Sequence, residues 1–147
     1  MNPEKLKFRK FKITDYELLI SLWEASGLPY KPQGRDSREN IEREIRNNNT
    51  DFIFCESDGK TVGTVLVTSD GRKGWINRLA VIPEFRKKGI ARKLIKEAER
   101  ILARQNLGII TCLIEADNLV SRNIFRELDY VEHKEIIYFA KRLYPDV

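Results

Sequence analysis

The stretch from Trp75 to Leu102 constrains the fold more than any other part of this chain. An apolar run (Ile76, Leu79, Val81, Ile82) leads through Pro83-Glu84-Phe85 into the basic turn Arg86-Lys87-Lys88-Gly89-Ile90-Ala91. Apolar residues then recur at helical spacing: Ile90, Ala91, Leu94, Ile95, Ala98, Ile101 and Leu102. Strand changes to helix across one short turn, which places the helix against the sheet that its own strand joins.

The residue types in that turn suit an anion. Gly89 has no Cβ, so it leaves room for a bulky group to approach the backbone and can take dihedrals closed to other residues. Ala91 keeps the approach narrow. Arg86, Lys87, Lys88, Arg92 and Lys93 add positive charge to a helix N-terminus, whose dipole already favours an anion. The spacing Arg-x-x-Gly-x-Ala suits a pyrophosphate. Taken alone, the same residues also describe a solvated basic face or a patch that touches nucleic acid.

Length and composition set the frame for this motif. The 147 residues suit one domain spanning 1–147, long enough to bury about two thirds of its unfolded surface. No run approaches the ~20 apolar residues of a membrane span, and Met1-Asn2-Pro3-Glu4-Lys5 precedes no apolar signal core. A cytoplasmic location without membrane contact is the expectation. Cys55 and Cys112 sit in apolar strand patterns and read as buried free thiols. A formal net charge of +5 suits an anionic ligand without specifying it.

Along the chain, strands and helices alternate with short turns. Leu6 to Phe11 alternates apolar and basic residues as a half-buried strand. Thr14-Asp15-Tyr16-Glu17 reads as a capping box for a helix ending near Gly27. Pro29 to Arg35 forms a loop, and Ser37 caps a polar helix from Arg38 to about Asn47. Asp51–Ser57 and Thr61–Thr68 make a hairpin about Asp58-Gly59, and Ser69 to Gly74 turns into the strand carrying Leu79 to Val81. After the long helix come a strand over Ile109–Ile114, a short helix capped by Asp117 or Asn118, and a final hairpin from Tyr130 to about Leu143. This order predicts an α/β chain of the α+β kind, with a mixed, mostly antiparallel sheet flanked by helices.

Several chemistries lack their residues. There is no Gly-x-Gly-x-x-Gly, no Gly-x-x-x-x-Gly-Lys-Ser/Thr and no Gly-x-Ser-x-Gly. With two separated cysteines and one histidine, no metal site is expected. His133, in Glu132-His133-Lys134, reads as a solvated turn residue.

Leu79-Ala80-Val81-Ile82-Pro83-Glu84-Phe85-Arg86, followed by Gly89 and Ala91, resembles the acetyl-CoA-binding core of the GNAT superfamily of N-acetyltransferases. Asn118 to Tyr130 looks like that family's second block, an Asn opening a short helix with an aromatic exit. The resemblance is close from about Thr61 onwards and holds by pattern before it. It implies a GNAT-like fold and transfer of an acetyl group from acetyl-CoA to a primary amine by direct attack. The cofactor residues it implies are Leu79, Ala80, Val81, Arg86, Lys87, Lys88, Gly89, Ile90, Ala91, Arg92, Asn118, Ser121 and Phe125. It also implies that the Val81 main-chain N–H holds the oxyanion.

Two departures from the family pattern bear on acid–base chemistry. Phe125 stands where many relatives place a Tyr that protonates the thiolate, leaving Tyr130 and Tyr138 as substitute donors. Leu113 stands where some relatives place a basic Glu, leaving Glu115, Asp117, Glu24 or a water chain. The resemblance further places the acceptor, an amine on a peptide N-terminus, a lysine or a small molecule, between residues 29–36 and the last hairpin. Tyr30, Arg35 and Asp36 are the substrate-side candidates there. The expected assembly is a monomer or homodimer without nucleic acid. The alternatives are a non-catalytic acetyl-CoA-binding regulatory module and a basic nucleic-acid-binding domain.

Overall fold

The computed structural model describes residues 5–147. Five strands form one sheet in sequence order: β1 (Leu6–Lys10), β2 (Thr50–Ser57), β3 (Lys60–Ser69), β4 (Gly74–Val81) and β5 (Ile110–Thr111). The first four are antiparallel, and β5 runs parallel to β4. The helices are α1 (Tyr16–Ser26), α2 (Arg38–Ile45), α3 (Ile90–Ala103) and α4 (Leu119–Glu127). The predicted mixed, mostly antiparallel sheet is thus present.

Both faces of the sheet are covered, which is why β2 is buried continuously from Phe52 to Cys55. On one face α1 contributes Leu19, Leu22 and Trp23, with the Trp23 ring 5.9 Å from that of Phe52. On the other lies α3, whose buried stripe is Ile90, Leu94, Ile95, Ala98 and Leu102. The close approach of α3 needs glycine beneath it. A Cβ on Gly63 would lie 3.0 Å from Leu94 Cδ1, and one on Gly74 would lie 2.7 Å from Leu102 Cδ1.

Local chemistry sets most element ends. Ser37 Oγ accepts the Asn40 N–H and caps α2. Asp58 and Gly59, with φ of 50° and 81°, make the two-residue hairpin turn between β2 and β3. The start of α1 differs from expectation. Instead of a Thr14–Glu17 box, a 3-10 turn over Ile13–Asp15 precedes the helix, and the Asp15 carboxylate accepts the Lys12 N–H. Asp15 is held there by a bidentate pair with Arg9, which also binds Glu56.

Two other expectations are corrected. The strand predicted over Ile109–Ile114 keeps only Ile110 and Thr111, because the chain turns away where the Asn77 carboxamide, not the β4 backbone, accepts the Leu113 N–H. The final hairpin from Tyr130 to Leu143 is absent. β5 offers it only two residues to pair with, and Ile136 to Phe139 stay exposed, Phe139 by 90%. This last segment is fixed at its ends. Tyr130 N–H donates to Phe125 O, and Arg35 N–H donates to Asp146 O beside Gly34, where a Cβ would collide with Asp146.

Candidate functional site

The geometry of the site begins with β4. Ile82 N–H donates to Val62 O, so the two-residue alternation of a strand turns Ala80 toward β3 as well. Leu79 and Val81 direct their main-chain groups to the opposite side. Beyond Trp75 no strand among the described residues flanks β4 on that side, since β5 pairs only with Gly74 and Trp75. The result is an open slot bordered by peptide groups that a sheet would normally satisfy. Ala80, grouped by sequence with its neighbours as a main-chain partner, instead buries its methyl and faces β3.

At the end of the slot the chain makes a 3-10 turn, Pro83–Phe85, and then a turn with two left-handed residues, Lys87 (φ 62°) and Gly89 (φ 80°). Gly89 caps α3 without any side-chain cap. The N–H groups of Ile90, Ala91 and Arg92 therefore point out of the first helical turn with no intrahelical acceptor. A Cβ built on Gly89 meets nothing within 4 Å, so the turn at the start of the helix is open there. Such a cradle fits a pyrophosphate.

The cations of the turn divide by task. Arg86 donates through Nε to Val81 O (3.1 Å) and through Nη2 to Ser26 O (2.7 Å), bracing β4 against the end of α1. This contact occupies the Val81 carbonyl, while the Val81 N–H points to the same outward side. The Lys88 ammonium sits over the Phe85 ring at 5.4 Å, and Arg92 pairs with Glu127 of α4. Among the described residues, Lys87 and Lys93 carry no ion pair.

The second block has a structural part to play. Asn118 Oδ1 accepts the Ser121 N–H and caps α4. Phe125 is buried and meets Tyr130 edge to face at 4.9 Å. The Tyr130 hydroxyl donates to Glu99 at 2.7 Å, and burial followed by that bond pushes the phenol well above its ordinary range. Its proton is committed to Glu99. Glu115, Asp117 and Glu24 are exposed, and His133 is exposed beside Glu135.

On the acceptor side, Asp36 is buried. It binds the Lys31 N–H (2.8 Å) and Arg78 (2.6 Å), so it faces inward, not toward an incoming amine. Tyr30 packs against Trp23 at 6.3 Å between ring centres, and Arg35 lies exposed. Sequence reasoning missed Arg78. A signal exists, because the apolar period skips from Ile76 to Leu79, three residues instead of two, as a strand does at a bulge.

A model of the acetyltransferase (GNAT) family matches residues 16–130. "Acetyltransferase plu1384" of Photorhabdus laumondii is 34% identical over 142 residues, covering 96% of this chain and 98% of that protein. Among solved structures, AAC(6')-Iy in complex with the bisubstrate analogue CoA-S-monomethyl-acetylneamine superposes with a TM-score of 0.78 at 18% identity, covering 93% and 98% of the two chains. An aminoglycoside acetyltransferase from an uncultured soil metagenomic sample, in complex with sisomicin, gives 0.79 at 16% identity, covering 96% and 98%. The PaiA N-acetyltransferase from Thermoplasma acidophilum in complex with coenzyme A gives 0.74 at 22% identity, covering 84% and 87%.

Proposed function

The chain belongs to the acetyltransferase (GNAT) family and is an acetyl-CoA-dependent N-acetyltransferase; from that premise we propose that the donor's pyrophosphate lies on the Arg86–Ala91 turn and its pantetheine arm along the open side of β4. One observation carries this placement. The outward peptide edge of β4 leads through the short turns of residues 82–89 to the uncapped first turn of α3, so strand-type donors and helix N-terminal donors lie within one short stretch of chain.

The roles of the residues follow from that arrangement. Ile90, Ala91 and Arg92 supply main-chain N–H groups to the diphosphate, with Lys87 and Lys93 as the uncommitted cations. Gly89 supplies clearance. Arg86 shapes the slot by holding the Val81 carbonyl, which aims the Val81 N–H at the charge that develops on the acetyl oxygen during attack. A donor so placed contributes about 3 kcal/mol to the transition state.

Proton management needs no phenol here. Phe125 has no hydroxyl and the Tyr130 proton is held by Glu99, so the thiol leaves as its anion, tolerable for a group whose pKa is near ~8.5. The attacking amine gives its proton to water, with exposed Glu115 as a carboxylate at the rim of the slot side of the chain. Asn118, Ser121 and Phe125 act by holding α4 in place. Tyr30 and Arg35 flank the acceptor, and Asp36 fixes the loop that carries them.

Thermal unfolding with acetyl-CoA, using ATP as an anion control, tests the donor site. A rise with acetyl-CoA alone is expected. An equal rise with ATP, or none, would reduce the turn to a general anion patch. Acetyl transfer to sisomicin, spermidine and a peptide N-terminus then identifies the amine class.

A further inference from the structure

Arg78 stands at a costly place in the sheet. Between the pairs Leu66–Asn77 and Thr64–Ala80 the register slips, so Arg78 and Leu79 together oppose Val65. Arg78 takes φ 56°, the left-handed conformation that glycine ordinarily supplies at such a bulge. Its side chain crosses to the segment between α1 and α2. Nη1 donates to Pro29 O and Nη2 to Asp36 Oδ2, both at 2.6 Å, while the guanidinium lies 4.6 Å over the Trp23 ring.

The other end of this contact is equally constrained. Asp36 accepts the Lys31 N–H on its carboxylate, donates its own N–H to Lys31 O, and accepts the Tyr16 hydroxyl on its carbonyl. Residues 31–36 are thereby closed into one compact turn around a carboxylate. The side chains of Arg78 and Asp36 are only 15% and 7% exposed, so the pair is largely shielded from water, with Arg35 Nε a more distant 3.5 Å from the same carboxylate oxygen. Among the described residues, this ion pair is the side-chain link of the network that ties the 31–36 turn to β4.

We propose that Arg78 is a positioning residue that latches the 29–36 loop, the acceptor wall of the transfer site, to the bulge from which the open edge of β4 begins. The proposal rests on the placement of donor and acceptor given above. The latch makes one residue set two distances at once: the position of Tyr30 and Arg35 against the slot, and the emergence of Leu79 and Val81 from the bulge. Arginine suits the task because its planar fork reaches Pro29 O and Asp36 together while stacking on Trp23. Lysine can keep the charge but not the fork.

The test uses Asp36→Asn, Arg78→Lys, Arg78→Met and the double variant, with two readouts. Trypsin cleavage after Arg35 reports release of the loop, since Lys31 is followed by Pro32 and resists cutting. The Michaelis constants for sisomicin, or for spermidine where that is the better acceptor, and for acetyl-CoA report the site. Asp36→Asn should speed cleavage at least tenfold, taken relative to each protein's cleavage rate when denatured, which removes the direct effect of the residue after Arg35. It should also raise the acceptor constant at least tenfold, with that for acetyl-CoA changed less than twofold. Arg78→Lys should fall between wild type and Arg78→Met. The double variant should be no worse than Arg78→Met alone. Cleavage at the wild-type rate in Asp36→Asn, or equal changes in both constants, would overturn the latch. Should Arg78→Met not fold, Asp36→Asn and Arg78→Lys decide. Failure of the donor placement shows separately, as a wild-type protein that acetyl-CoA does not stabilise, and leaves the proteolysis result standing.

Discussion

Gly89→Ala separates two roles that glycine plays in the turn. The backbone there has φ 80°, and a Cβ would meet nothing within 4 Å, so the cost to the free protein comes from the left-handed conformation alone. That conformation costs an alanine about 1–2 kcal/mol. With an unfolding entropy of about 2.1 cal/mol/K per residue, a chain of this length loses about 0.3 kcal/mol of stability per degree near its midpoint, so Tm should fall by about 3–6 °C. Acetyl-CoA at a hundredfold excess over Kd adds about 2.7 kcal/mol, or about 9 °C on the same slope. In Gly89→Ala this rise should vanish, because the methyl group occupies the open turn at the start of α3. Gly71→Ala provides the control. Gly71 also has positive φ (85°) and empty space at its Cβ, but lies in the turn between β3 and β4 at the far end from the slot. It should show the same fall and keep the full rise. Differential scanning fluorimetry reads both numbers. A Gly89→Ala protein that keeps the acetyl-CoA rise, or a Gly71→Ala protein that loses it, would refute the placement of the diphosphate.

Other outcomes follow from titration and hydrogen bonding. Burial pushes the Cys55 thiol up to about 11 from an ordinary value near 9, so its contribution to stability is complete below about pH 9 and is lost between there and 11. Cys55→Ala should flatten that part of the alkaline melting curve, leaving a remainder from Cys112, which burial raises to about 11 as well. The Arg9 guanidinium holds the Asp15 carboxyl below the usual carboxylate range. Its contribution is therefore present above about pH 4 and fades as the pH falls through the lowered value, and Asp15→Asn should remove that acid-side slope. Tyr130→Phe should lower Tm, since it strips Glu99 of its donor, while kcat stays within about threefold of wild type. A loss of a hundredfold or more, the scale of general acid catalysis, would return Tyr130 to a catalytic role.

The parts of the chain that were legible are those where periodicity and turn chemistry agree. Trp75 to Leu102 announces strand, turn and helix because its apolar spacing changes at a glycine among cations, and Ser37 and Asp58-Gly59 mark their elements by local hydrogen bonds and dihedrals. What escaped was decided across the fold. Whether Arg86 reaches a phosphate or the carbonyls of Val81 and Ser26 depends on where α1 ends, sixty positions away in the chain. Asp36 reads as a surface carboxylate until Arg78 is placed beside it. Ile136 to Phe139 has every property of a strand except a long neighbour to pair with, and β5, at two residues, does not provide one.

The junction between β4 and β5 bears on motion as well as shape. Two residue pairs, Gly74 with Ile110 and Trp75 with Thr111, are the whole of the ladder there, assisted by the Thr111 hydroxyl on Gly74 O. Parting these two strands breaks far fewer bonds than unravelling the antiparallel meander from β1 to β4, so local opening at this junction lies far below global unfolding in free energy. Beyond it, α4 is tethered to α3 by Arg92 with Glu127 and by the Tyr130 hydroxyl on Glu99, so opening is confined to the stretch between β5 and α4. The side of the slot next to β5 is thus its weakly held side, while the wall formed by β4 is braced by Arg86. Exchange of the Ile110 and Thr111 amides with solvent will run ahead of exchange in β2 and β3.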